Sequence, residues 1–134
     1  MKYLFATLLM LFTGSARASD VVAGDTILVH ADVCQTAEQM ESILSTNATD
    51  GFEAAKAKYE ELASKSQCDT LLMEATPVEQ IAEFKNLPMS TGTEDAYIWR
   101  VHVTMMEKEG VVIPVDTDLF ILAKQPLVPK GEGI

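Results

Sequence analysis

Hydrophobic and polar positions alternate most strictly in "AYIWRVHVTM" (96–105). There Tyr97, Trp99, Val101, Val103 and Met105 fall on one side, and Ile98, Arg100, His102 and Thr104 on the other. A period of two marks a half-buried strand, because successive side chains leave a strand on opposite faces. The same period organises "DTILVHADV" (25–33), with Ile27, Val29, Ala31 and Val33 opposed to Thr26, Leu28, His30 and Asp32. "EKEG" (107–110) supplies a turn, after which "VVIPVDTDLFILA" (111–123) returns as a partner strand. Pro114 has no N–H to give to a ladder, so that strand is expected at an edge or interrupted there. "DTLLMEA", directly after Cys68, is a further strand.

Between the first two strands the period changes to that of a helix. "TAEQ" (36–39) has the form of a capping box, in which the Thr36 hydroxyl and the Gln39 side chain satisfy backbone donors at a helix start. Val33, Ala37, Met40 and Leu44 recur at helical spacing until "STNATDG" (45–51) ends the element. A longer helix then starts with Asp50 as N-cap and Glu53 in the first turn, presenting Phe52, Ala55, Tyr59 and Leu62 on one face. Glu53–Lys56 and Glu61–Lys65 are placed to pair on its exposed side, each contributing a few tenths of a kcal/mol. "TPVEQIAEFKNL" (76–87) supports two readings: a helix started by Thr76, Pro77 and Glu79, or a hairpin in which residues 80–85 fold back on the preceding strand. The hairpin is preferred.

The first eighteen residues, "MKYLFATLLMLFTGSARA", change the picture by placing the chain outside the cytosol. Lys2, an apolar run over residues 3–12 and the A-x-A of Ala16 and Ala18 form the layout of a secretory signal peptide. The run is shorter than the ~20 residues a spanning helix needs. Cleavage after Ala18 leaves 116 of the 134 residues: a single domain over 19–124, then a loose tail over 125–134 with two prolines and two glycines. That length suffices for one hydrophobic core. Without Lys2 and Arg17, eight of the ten basic side chains remain against twenty acidic ones, a net charge of about −12. Such a surface repels phosphate backbones and anionic headgroups, so neither nucleic acid nor membrane is expected as a partner.

Export also bears on Cys34 and Cys68, the only two cysteines. A thiol beside a helix start can be an activated nucleophile. Two cysteines in an exported domain more often pair, and no C-x-x-C spacing is present. A Cys34–Cys68 disulfide is therefore expected, contributing roughly 3–4 kcal/mol by loop-closure entropy and tying the two helices together at their outer ends. The fold class that follows is α+β: an N-terminal strand and two helices stapled by a disulfide, packed on an antiparallel sheet of three to four C-terminal strands. The order of leader, strand, "VCQTAEQ", helix, "QCDTLLME" and alternating strands ending in "DLFILA" resembles small exported bacterial proteins of unknown function. In that group two cysteines flank a helical segment and the rest is β-rich. The resemblance implies the hairpin over residues 70–85, and no catalytic residue.

Candidate chemistry is sparse. There is no G-x-S-x-G elbow, H-E-x-x-H, phosphate-cradling loop or dinucleotide fingerprint. His30 and His102 could meet if their strands are neighbours, and with Asp32 form a metal site, although ordinary exposed strand histidines are favoured. Asp116 and Asp118 share a strand face but lack the further oxygen ligands of a calcium loop. Trp99 reads as core packing. Arg100, beside His102, reads equally as an anion-recognising strip or as one half of a salt bridge to a local Glu. No catalytic, cofactor-binding or metal-binding residue is assigned. The expected function is a non-enzymatic interaction module of the cell envelope, binding a protein partner through a sheet edge or exposed face. The alternative is a small periplasmic hydrolase or redox enzyme using His30, His102 and acidic residues; a small-ligand carrier would need an internal cavity.

Overall fold

The computed structural model describes residues 20–130, so the leader, its cleavage after Ala18 and the last four residues of the expected tail lie outside the described residues. The elements run β1 (Ile27–Cys34), α1 (Ala37–Asp50), α2 (Phe52–Ser64), β2 (Cys68–Pro88), β3 (Thr93–Lys108) and β4 (Val111–Ala123). The class is α+β, with two helices and a four-stranded antiparallel sheet to which the N-terminal strand itself belongs.

The sheet is a meander that closes on itself, because β4 pairs with β1 through Val33↔Ile121 and Cys34↔Phe120. From Cys34 one step leads to Cys68 on β2, whereas the way round through Phe120 and Arg100 arrives at Glu79, eleven residues farther along β2. So large a stagger tilts the strands steeply and opens space inside a barrel of only four. That space is filled by one register-linked face: Val29, Ala31 and Val33, Met73 and Ala75, Trp99, Val101 and Val103, and Ile121, all essentially inaccessible. Trp99 is a core residue.

β2 holds the main departure from the sequence pattern. Residues 77–86 are strand, yet no hairpin folds back within them; β2 continues to Pro88 and pairs with β3 from Leu72 onward. Register shifts at Glu74/Ala75, Pro77/Glu79, Gln80/Ala82 and Phe84/Leu87 let one strand bend around the barrel where a turn was expected. Each such bulge kinks the strand and adds twist. A shift between Val103 and Met105 likewise turns Met105, expected on the core face, outward to 37% exposure. The β3–β4 connection is a tight two-residue turn, with Glu109 and Gly110 at φ 54° and 81°, the primed geometry that suits the twist of a hairpin.

The capping box at Thr36 is formed, with Gln39 N–H donating to Thr36 Oγ1 (3.2 Å) and Thr36 N–H to Gln39 Oε1 (3.0 Å). α1 runs through "STNATDG" as far as Asp50 and stops at Gly51, whose φ of 98° and ψ of 175° suit glycine alone. Asp50 is therefore the last residue of α1, and Gly51 opens α2 without a side-chain cap. On α2, Glu61 pairs with Lys65 at 3.4 Å.

The Cys34–Cys68 disulfide is present, but it links strands β1 and β2 and not the helices. The cysteines are a directly opposed cross-strand pair where the helical insert leaves and rejoins the sheet, next to a Gln35 N–H to Gln67 C=O bond of 3.0 Å. The helices lie on the outer face of the barrel. α1 touches all four strands, and its Leu44 and Asn47 sit over Ala96 and Leu122. This cover explains why Ile98, on the expected polar side of its strand, is fully buried. In the segment expected to be a loose tail, Leu127 is buried, Val128 bridges Val22, and the Leu127 N–H donates to Gln80 Oε1 at 3.0 Å.

Candidate functional site

Three places outside the core carry polar chemistry or exposed apolar surface. The first lies under the helices beside the disulfide. Asp32 and Thr70 are the next cross-strand pair on the same face as Cys34 and Cys68. The Thr70 hydroxyl donates to Asp32 Oδ1 at 2.6 Å, and Tyr59 Oη stands 2.7 Å from the same hydroxyl. With its one hydrogen given to the carboxylate, Thr70 accepts from Tyr59, which fixes the direction of the chain. Asp32 is 1% exposed, and its Oδ2 has no hydrogen-bond partner among the described residues. Burial pushes its pKa up to about 7, against the lowering effect of the Thr70 hydrogen bond and with a small raising push from Asp69.

The second place is an ionic strip on the outer face of β3 and β4. Arg100 donates from Nε to Glu79 and from Nη1 to Asp118, both at 2.9 Å. His102 places Nδ1 2.8 Å from Asp118 Oδ1 and Nε2 2.8 Å from Asp116 Oδ1. Both ring nitrogens can donate at once only as the imidazolium. Accordingly its pKa is raised, first by the Asp118 hydrogen bond and also by Asp116, while the His102 hydrogen bond leads in lowering that of Asp118. Salt-bridged Arg100 thus takes the local-partner reading, with Asp118 as well as a Glu.

The histidines are not brought together. β1 and β3 are not neighbours; His30 faces Leu72 and lines an open groove with Thr70 and Lys108, whereas His102 belongs to the strip. Asp32 is buried under the helices and apart from His102. Among the described residues no group of three or more His, Cys, Asp or Glu side chains is arranged to hold a metal ion, and no helix is long and apolar enough to cross a membrane. His102, donating from both nitrogens, offers no lone pair to a substrate proton in this arrangement.

The third place is apolar and was missed in the pattern. Leu28 (68% exposed), Met105, Val111, Val112 and Ile113 are exposed around the β3–β4 hairpin and the start of β1. Register puts Leu28, Met105 and Val112 in two adjacent rows on the outer face: Leu28, Glu74, Met105, Pro114 and, beside it, His30, Leu72, Glu107, Val112; Val111 and Ile113 pair instead with Lys108 and Met106. A groove of about 160 Å³ runs between them. Two signals were available. Leu28 is apolar on the polar side of its strand, and Val111–Ile113 is one apolar residue too many for alternation.

Comparison of the chain with protein-family models, with curated proteins and with solved structures found no match in any of the three.

Proposed function

We propose that the chain is an exported, non-enzymatic interaction module of the cell envelope that docks a protein partner on the outer face around Leu28, Leu72, Met105 and Val112. The observation that carries this reading is the gathering of exposed apolar side chains at one end of a barrel whose surface is otherwise strongly acidic. Contiguous apolar surface on a charged protein marks an interaction site. The disulfide is compatible with export. The hydrolase or redox alternative draws no support from the separated histidines.

The test is retention from an envelope fraction on immobilised protein lacking residues 1–18. A polypeptide held by the parent and by His102→Ala, but lost from a Leu28→Glu/Val112→Glu variant of unchanged circular dichroism, supports the reading. Identical retention by the parent and that variant, or none by either, refutes it.

A further inference from the structure

The apolar rows are not uniformly apolar. Register sets Glu74 between Leu28 and Met105, and Glu107 between Leu72 and Val112, so two carboxylates stand inside the patch. Glu74 is held in place by the Thr104 hydroxyl at 2.9 Å. Glu107 has no ion-pair partner among the described residues, since the neighbouring Lys108 is committed to Asp69. A ligand covering the groove must satisfy both carboxylates or bury them unpaired, which is costly.

A second copy of this chain would bring Glu74 and Glu107, and a net charge of −10 over the full sequence, against the same. Strand addition along the outer edge of β4 is blunted by Pro114, which has no N–H, at the centre of the exposed stretch. A helix avoids both difficulties. Its apolar residues at i, i+3 or i+4 and i+7 rise by about 5 Å per turn, close to the ~4.8 Å between the strands that carry Leu28, Leu72, Met105 and Val112. Lysine or arginine side chains flanking that stripe then reach the two glutamates.

Resting on the docking reading above, we infer that the partner presents a basic amphipathic helix, whose apolar stripe enters the Leu28–Leu72–Met105–Val112 groove and whose cations pair with Glu74 and Glu107. The probe is a synthetic Leu/Lys amphipathic peptide of roughly 18 residues, five helical turns. It is compared with a Leu/Glu peptide of the same apolar positions and with a shuffled Leu/Lys peptide lacking a face. Amide shifts of the isotope-labelled protein report where each binds. The Leu/Lys helix is expected to move the amides of Leu28, Leu72, Met105 and Val112, with the other two peptides inert there. Glu74→Gln/Glu107→Gln should weaken it roughly three- to tenfold, as expected for the loss of two half-buried charge pairs.

The inference is overturned if the shuffled peptide binds as well, if shifts fall elsewhere on the acidic surface, or if sedimentation shows a dimer that Leu28→Glu/Val112→Glu converts to monomer. Should the peptide fail while the envelope partner is still lost from Leu28→Glu/Val112→Glu, the helix is wrong and the docking face stands. Should that variant retain everything the parent does, the docking face itself falls.

Discussion

Asp32→Asn isolates the energetic consequence of placing a carboxyl beneath the helices. The parent's carboxyl moves from an ordinary 3.8 in the unfolded chain to about 7 in the fold. The folded protein therefore holds a proton that the unfolded one has lost, and the stability penalty grows as pH rises from 3.8, becoming complete above 7 at roughly 4 kcal/mol. Between about pH 5 and pH 8 the share that accrues is roughly 2.5 kcal/mol. Asparagine has no such titration. It keeps an oxygen to accept from Thr70, and any cost of its buried amide is the same at both pH values. The difference between variant and parent should thus shift by about 2.5 kcal/mol in favour of the variant between those pH values, equivalent to roughly 10 °C in midpoint for a domain of this size. Urea denaturation at each pH, followed by tryptophan fluorescence from Trp99, measures it. Parallel curves for the two proteins over that range would show that Asp32 does not carry the strain assigned to it.

Two further outcomes follow from the same geometry. Cys34→Ser or Cys68→Ser should each lose roughly 3–4 kcal/mol in thermal or urea unfolding, and the unreduced, unfolded parent should give no reaction with a thiol reagent; one titratable thiol in the parent contradicts the bridge. For His102, the folded pKa is raised, so the stabilisation from its two carboxylate partners is present below the ordinary 6.5 and is lost as pH rises through the raised value. His102→Gln should then be the less stable protein at about pH 5, with the gap closing as pH rises through the raised value. A ring-proton titration with its midpoint below 6.5 would contradict the doubly bonded imidazolium.

Much of the architecture is legible in residue periodicity. Alternation over 25–33, 96–105 and 111–123 reads directly as strands, and the "TAEQ" box marks the start of α1, because these features are set by neighbours in the chain. β2 is legible only in its first part, "DTLLMEA", and its unbroken run to Pro88 is not. Its bends arise from register slips against β3, and bulges are decided by the pairing partner, not by the sequence of the bulged strand. Ile98 looked like an outward residue because periodicity describes the two faces of a strand and cannot know that a helix from elsewhere covers one of them. The Asp32–Thr70–Tyr59 chain was invisible for the same reason, since its members come from β1, β2 and α2. The cysteine pairing was readable from the count of two and the expectation of export, whereas its position required the register that sets Cys34 opposite Cys68. The docking face left traces in Leu28 and Val111–Ile113, but only the ladder shows that Glu74 and Glu107 stand among them.

Because the sulfur bridge sits at the stem of the helical excursion, residues 35–67 form a closed annex whose entrance and exit are welded together. Deleting the annex and rejoining the strands with a short turn would preserve the order of the meander. It would also strip the roof from Ile98, Leu122 and Asp32, leaving an oily and ionisable wall open to solvent. The excursion is thus removable in topology and indispensable in solvation, which makes a minimal version of this barrel a problem of resurfacing and not of reconnection.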